Sequence, residues 1–391
     1  MIKTFLVLYP FKFRSFDEKR FEFDLLNKNR NKIVIYEFLN ILNPHFKKAY
    51  KIEKRKKDLL EVNSIFHFYV IFKKFSLLNN NFIIFNFLKN DSFKSIFIKF
   101  IIKFFNVKKV SFFNPGISIF DKGIATSNLK LYKKILFLVK RPYETLSKLK
   151  GKFLELISSI LKIDDDYIFV AGEECLKNIK RKNSKIIKGH SWDISNIYSR
   201  KTKKIIKNKY AVYLDAPGPK FLSDSFLLGE KNYETCTHTY PLLQNFFKQI
   251  EKKYNLNVVI SPHPKTYIKD YSSLFGYRRV ISGHTQDLIK NCEFIITRNS
   301  TAVSYACYYK KSILLFYTNE TINTEAQRTT ILLAQSLNCT AINLDDIVHN
   351  KKKFILKKNL NKYKQYLTKY CTFEKIKKPN YQIWKNFDYE K

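Results

Sequence analysis

Short apolar runs, each closed by a turn residue or a polar side chain and followed by a helical stretch, recur from one end of this sequence to the other. Phe5-Leu6-Val7-Leu8-Tyr9 stops at Pro10, and Lys32-Ile33-Val34-Ile35-Tyr36 and Phe82-Ile83-Ile84-Phe85 have the same character. Ser92 to Phe105 places apolar residues at helical spacing with Lys94, Lys99 and Lys103 between them. Val110-Ser111-Phe112-Phe113 then ends at Asn114-Pro115-Gly116, residues 124–162 read as helical and basic, and Tyr167-Ile168-Phe169-Val170-Ala171 ends at Gly172. Strands that alternate with helices predict parallel sheets with crossover connections, which is an α/β chain.

The pattern is sharper in the second half. Tyr210-Ala211-Val212-Tyr213-Leu214 ends in Asp215, with Ala216-Pro217-Gly218-Pro219 as the loop. Residues 238–254 form an amphipathic helix with Leu242, Leu243, Phe246, Phe247 and Ile250 on one stripe. Asn257–Ser261 is a strand closed by Pro262-His263-Pro264. Glu293–Thr297 is another, followed by Arg298-Asn299 and a helix opening at Ser300-Thr301, and Ser312–Tyr317 is the next. With 391 residues, two domains are expected, dividing near the basic stretch from Arg200 to Lys209: residues 1–200 and 201–391. All nine glycines lie at or beyond Gly116, so the first domain has no Gly-rich phosphate loop and a nucleotide should bind in the second.

The charge is extreme, with 72 Lys and Arg against 33 Asp and Glu, a net +39. Nucleic-acid binding, docking on an anionic membrane, and the Lys, Asn, Ile, Phe and Tyr bias of an AT-rich genome would each produce it. The basic residues are scattered rather than gathered in a tail, and no nucleic-acid partner is expected. Lys3 and Pro10 interrupt the first apolar stretch, and no run of 18 apolar residues occurs. The expected location is the cytoplasm, with peripheral docking on the inner face of the cytoplasmic membrane as one account of the charge. The six cysteines form no C-x-x-C pair or zinc spacing.

Three motifs fall at the C-terminal ends of expected strands, the edge where open α/β sheets bind ligands. Two prolines stiffen the backbone around His263, which could stabilise a leaving phosphate or serve as a local turn residue. Ser300 and Thr301 could bind an anion with their hydroxyls or simply cap a helix. Asp215 could act as general base, bind ribose or hold a loop. Asp164-Asp165-Asp166 lies before a strand, where a solvated turn is expected rather than a metal site. His45, His67, His238, His284 and His349 have no partners in register and are taken as structural.

A strand followed by His-Pro and, about 35 residues later, a second strand followed by Ser-Thr at a helix start resembles the bacterial sialyltransferase families. The stretches Gly189–Asp193, Tyr210–Asp215, Val258–Pro264 and Ile295–Ala306 also look like uncharacterised proteins encoded with bacterial surface-polysaccharide genes. The resemblance covers roughly residues 165–320. It implies two doubly wound Rossmann-like domains facing a cleft, a GT-B-like arrangement, with the acceptor in the first domain and the nucleotide-sugar in the second. It further implies an inverting, metal-independent transfer of a CMP-activated acidic sugar to a glycan or lipid-linked acceptor, with no cofactor beyond the donor itself. His263 and Pro264 would serve the departing CMP phosphate, Ser300 and Thr301 would bind it, and Asp215 would be the base. The family's D/E-D/E-G triplet is missing, and Asp215 precedes His263 by only 48 positions, whereas the family places its base far upstream. A UDP- or GDP-sugar transferase or epimerase on the same fold is the alternative, and a basic nucleic-acid-binding protein is the alternative outside enzymes.

Overall fold

A computed structural model of the chain describes residues 3–49, 58–79, 81–105, 107–113, 142–179, 184–215, 219, 233–264, 271–350 and 352–389. Two parallel sheets account for the strands. The first has the order β3-β2-β1-β4-β5-β6-β7, with β1 Thr4–Tyr9, β2 Lys32–Glu37, β3 Leu59–Glu61, β4 Phe82–Asn86, β5 Lys108–Phe113, β6 Tyr167–Ala171 and β7 Lys185–Gly189. The second has the order β12-β11-β10-β8-β9, with β8 Tyr210–Leu214, β9 Asn257–Ser261, β10 Phe294–Thr297, β11 Ser312–Tyr317 and β12 Ala341–Asn343. The chain is thus α/β with two Rossmann-like domains. Central strands β4, β6 and β8 are buried at every position, because helices cover both faces of a parallel sheet, and this is why they read as continuous apolar runs.

Each sheet has a switch point where the chain reverses its direction of progress. It lies between β1 and β4 in the first sheet and between β8 and β10 in the second. Loops leaving such a pair of strands diverge to opposite faces and open a crevice at the C-terminal edge. Pro10 to Arg14 leaves the first switch point. Asp215 and Arg298 leave the two strands of the second.

Aromatic residues dominate the face of the first sheet where Phe5, Phe85, Phe169, Trp192 and Trp384 pack into one core. Trp384 is fully buried there although it belongs to the last helix, Asn380–Asn386. The expected division at residue 200 therefore needs correction at the tail. Residues 380–389 return to the first domain because Trp384 and Tyr389 complete its core, while the preceding helix, Leu360–Tyr370, packs Tyr363 and Tyr366 into the second. Polar bonds fix the return: Tyr381 N–H donates to Glu22 at 2.9 Å, and Asn380 N–H donates to Ser195 at 2.7 Å. Gly189 is required where the crossing begins, since any Cβ there would run into the Phe169 ring.

Helix Pro142–Ile160 lies within the stretch expected to be helical, while residues 114–141, which include the expected Asn114-Pro115-Gly116 turn, lie outside the described residues. The triple acid is structural: Asp165 accepts from Asn86, the last residue of β4, at 2.9 Å, and Asp166 accepts from the Lys109 backbone near the start of β5 at 2.8 Å.

Candidate functional site

His263, Asp215 and the Arg298–Thr301 segment follow three adjacent strands, β9, β8 and β10. Neighbouring strands lie about 4.8 Å apart, so the outer two motifs sit on the order of 10 Å from each other with Asp215 between them. Asp215 N–H donates to the Ser261 carbonyl at 3.0 Å, and the Thr297 hydroxyl donates to the Leu214 carbonyl at 3.1 Å, which ties the three strand ends together.

Asp215 is buried, and both of its carboxylate oxygens are engaged. Tyr213 donates to one at 3.0 Å, and Tyr271 donates to the other. Burial pushes its carboxyl up to about 6, against the opposing pull of the Tyr271 hydroxyl and the Arg298 guanidinium. Tyr271 is held well above the usual phenol range by burial and by Asp215. Arg298 is buried beside Asp215 and forms an ion pair with Glu234. Burial alone would lower its pKa, but Glu234 holds the proton on more strongly than before. The second switch point therefore carries a buried polar cluster in which a protonatable carboxylate is poised near neutral pH.

The Ser-Thr pair is divided in use. Ser300 accepts from the Ala302 backbone at 3.3 Å, as a turn side chain does. Ser304 donates to Asp193 at 3.5 Å, and the Thr301 and Tyr305 hydroxyls beside it also favour its ionised form. The helix expected to open at Ser300 begins at Val303 and runs only to Tyr308. Asp193 comes from the segment joining the domains, and burial raises its carboxyl despite the nearby Arg20 guanidinium. Thr301 thus faces Asp193 at the domain junction, 108 residues away in sequence, so an anion bound by its hydroxyl would lie beside a carboxylate.

The first domain reaches this edge through Arg14. Its guanidinium donates to the Pro264 carbonyl at 3.3 Å and lies 3.5 Å from the buried Asp17. His263 is half-buried beside that contact. The C-terminal edges of the two sheets therefore meet where Pro262-His263-Pro264 faces the loop after β1. Of the Ala216–Pro219 loop, residues 216–218 lie outside the described residues, as do 220–232 and 265–270.

Two histidines expected to lack partners pair with carboxylates, and His67 accepts from the Asn63 backbone at 3.3 Å. His238 pairs with Asp345 at 2.7 Å and with Glu320 at 3.2 Å. Burial lowers its pKa, but the two carboxylates outweigh it and the net shift is upward. The partners are 107 and 82 residues away, so no local spacing could signal them. His284 pairs with Asp287 at 2.9 Å, one turn along the same short helix. His190, within the Gly189–Asp193 motif, is buried and bonds to Thr372 at 2.7 Å and Lys378 at 3.1 Å, and burial pulls its pKa down to about 4. It is a neutral brace. Among the described residues, no group of three His, Cys, Asp or Glu side chains could hold a metal ion, and all six cysteines are free.

No protein-family profile matches this chain, and no curated protein matches it. Several solved structures are similar along most of its length. One, provisionally assigned as a UDP-N-acetylglucosamine 2-epimerase from Listeria monocytogenes, is 8% identical with a TM-score of 0.49, covering 98% of this chain and 94% of its own. The UDP-GlcNAc 2-epimerase of Methanocaldococcus jannaschii in complex with UDP-GlcNAc and UDP is 13% identical with a TM-score of 0.41, covering 93% and 98%. MurG of Acinetobacter baumannii is 8% identical with a TM-score of 0.41, covering 94% of each. With TM-scores of 0.41 to 0.49, nothing about this chain's chemistry follows from these likenesses.

Proposed function

We propose that the protein is an enzyme acting on a nucleotide-activated sugar, with the nucleotide at the C-terminal edge of the second sheet and the second substrate toward the first. One observation carries this reading. His263, Asp215 and Arg298–Ser300 occupy three adjacent strand ends at a switch point, and Arg14 of the first domain bonds to the loop that holds His263. In a glycosyl transfer on this site, the acceptor hydroxyl would attack the anomeric carbon as the bond to the phosphate oxygen breaks. Asp215 would take the acceptor proton, directly or passed along by the Tyr271 hydroxyl that donates to it, and His263 would give a proton or hydrogen bond to the departing phosphate. An epimerase would use the same nucleotide pocket with the base acting on the sugar ring. A glycan or lipid-linked acceptor is the reading for a transferase.

A UDP- or GDP-sugar is placed ahead of the CMP-activated acidic sugar. Thr301 faces the carboxylate of Asp193, and Ser300 accepts from the Ala302 backbone as a turn side chain, which weakens the sialyltransferase comparison at its Ser-Thr pair. The His263-Pro264 turn after β9 keeps the inverting CMP-sugar transfer as the second reading. In both, His263 rather than a metal ion offsets the charge on the leaving phosphate.

Thermal denaturation with UDP, GDP and CMP, each without divalent metal, separates these readings. A ligand that binds only the folded state adds about 2.7 kcal/mol at one hundred times its dissociation constant. UDP or GDP should raise the melting temperature more than CMP. A larger shift with CMP would restore the sialyltransferase-like reading, and no shift with any nucleotide would remove the nucleotide-sugar function altogether.

A further inference from the structure

Helix Ile65–Leu78 is apolar on both faces. Phe68 and Phe72 are buried against the first sheet, while Phe66, Val70 and Leu77 form an outward stripe, with Phe66 76% exposed. Its two lysines, Lys73 and Lys74, lie between apolar residues of that outward side. Two more helices of the same domain repeat the device. Helix Phe93–Lys103 buries Ile98 and Ile102 and turns Phe93 and Phe97 outward, with Phe104 just past its end. In helix Pro142–Ile160, Leu149, Phe153, Leu156 and Ile160 are all more than half exposed while Leu154 is buried. The exposed residues are spaced by four and seven positions in the second helix and by three or four in the third, the spacing of one helical face.

The three helices lie side by side. The 65–78 and 93–103 helices share the core cluster that contains Phe72 and Ile102. The 93–103 and 142–160 helices meet through Ile96 and Leu154, through the Phe93 and Phe153 rings at 6.3 Å, and through a bond from Lys103 to the Leu161 carbonyl at 2.9 Å. The result is a continuous apolar surface on one broad side of the domain, of the kind that marks an interaction site. None of the helices is long and apolar enough to cross a membrane among the described residues.

The charge around this surface is predominantly positive. The 65–78 and 93–103 helices carry five lysines, of which only Lys99 is buried, and no Asp or Glu. On the 142–160 helix, Lys150 and Lys152 are exposed alongside Glu155. A second copy of the chain would set these lysines against their own kind. A nucleic acid would suit the rings and lysines but gives Leu77, Leu78, Leu149 and Ile160 nothing to pack on. An anionic bilayer accommodates both, with lysines at the phosphates and apolar side chains at the boundary of headgroups and acyl chains.

We infer that this three-helix face docks on an anionic lipid bilayer. Helices that cover the face of a parallel sheet leave its C-terminal edge open, so docking keeps the Arg14 side of the molecule accessible. The inference stands apart from the nucleotide-sugar reading, and its test needs no turnover.

The full chain is sedimented with vesicles of phosphatidylcholine, alone and mixed with phosphatidylglycerol. Binding should be at least about tenfold tighter to the mixed vesicles, and molar salt should weaken it without abolishing it, since screening removes the charge attraction and leaves the apolar insertion. Lys73→Glu with Lys74→Glu should weaken binding to mixed vesicles by about 25-fold or more, taking about 1 kcal/mol, or fivefold, per lysine. Phe97→Ser with Phe104→Ser and Leu156→Ser should release the protein from vesicles with little change in its melting temperature, because these side chains are half or more exposed. Ile355→Ser, an equally exposed apolar site on the second domain, should change nothing. Three results would each overturn the inference: no vesicle binding by the wild type, equal binding by the wild type and both multiple variants, or variants that alter only the oligomeric state in light scattering or only oligonucleotide binding.

Discussion

Asp215→Asn tests the electrostatics of the candidate site directly. The native carboxyl titrates near 6, against an ordinary value of 3.8, because burial disfavours its ionised form more than Tyr271, Arg298 and Tyr213 favour it. Below the ordinary value the side chain is protonated in both states, and its contribution to stability is fully present. As pH rises toward 6 the unfolded chain ionises while the folded one keeps its proton, so stability is lost. Above 6 the loss levels off at (6 − 3.8) × 1.36, or about 3 kcal/mol. Asparagine has no such dependence. Near pH 4 the variant should be less stable than the wild type by about 1 kcal/mol, since one oxygen is no longer available to accept from a tyrosine. Near pH 7.5 the order should reverse, and the variant should be more stable by about 2 kcal/mol. Urea titrations at the two pH values measure this, followed by the fluorescence of the buried Trp192 and Trp384. Other groups titrate in both proteins and cancel in the difference. The reasoning is refuted by a variant that is destabilised equally at both pH values, which would mean the tyrosine donors hold Asp215 at an ordinary carboxylate pKa. If Asp215 is also the base, wild-type turnover should rise with pH through about 6 and the variant should lose that limb.

Two further outcomes follow from particular contacts. His263→Ala should lower turnover by about 10²–10⁴-fold with little change in melting temperature, and full activity would reduce Pro262-His263-Pro264 to a turn. Gly172→Ala should destabilise by about 2 kcal/mol or more in thermal unfolding, because φ is +77° there and the new Cβ would lie 2.5 Å from the Lys369 carbonyl oxygen; an unchanged midpoint would show that the two segments separate freely.

What could be read from the residues alone was the succession of elements and the chemistry at their ends. Strands buried on both faces must be apolar at every position, so Tyr210–Leu214 and Phe82–Asn86 stand out against any helical pattern. Asp215, His263 and Ser300 stand out because each interrupts such a run. Helix 65–78 was not legible, since residues apolar on the core side and again on the outer side leave no 3.6-residue contrast. Strands β3 and β12 escaped notice because three residues at a sheet edge carry too little pattern.

The site itself was decided by tertiary structure. Local patterning places Asp215 and His263 at strand ends, but only the sheet order seats β8 between β9 and β10 and so makes their ends neighbours. Tyr271 reaches Asp215 across 56 residues, Ser304 reaches Asp193 across 111, and Arg14 reaches Pro264 across 250. Nothing in the local sequence around any of these residues encodes its partner, because the pairing energy is realised only once distant strands have packed. The sequence could therefore name the side chains with chemistry to offer, while folding determined that Thr301 lies beside Asp193 at the domain junction and that Asp215 is buried enough to titrate near 6.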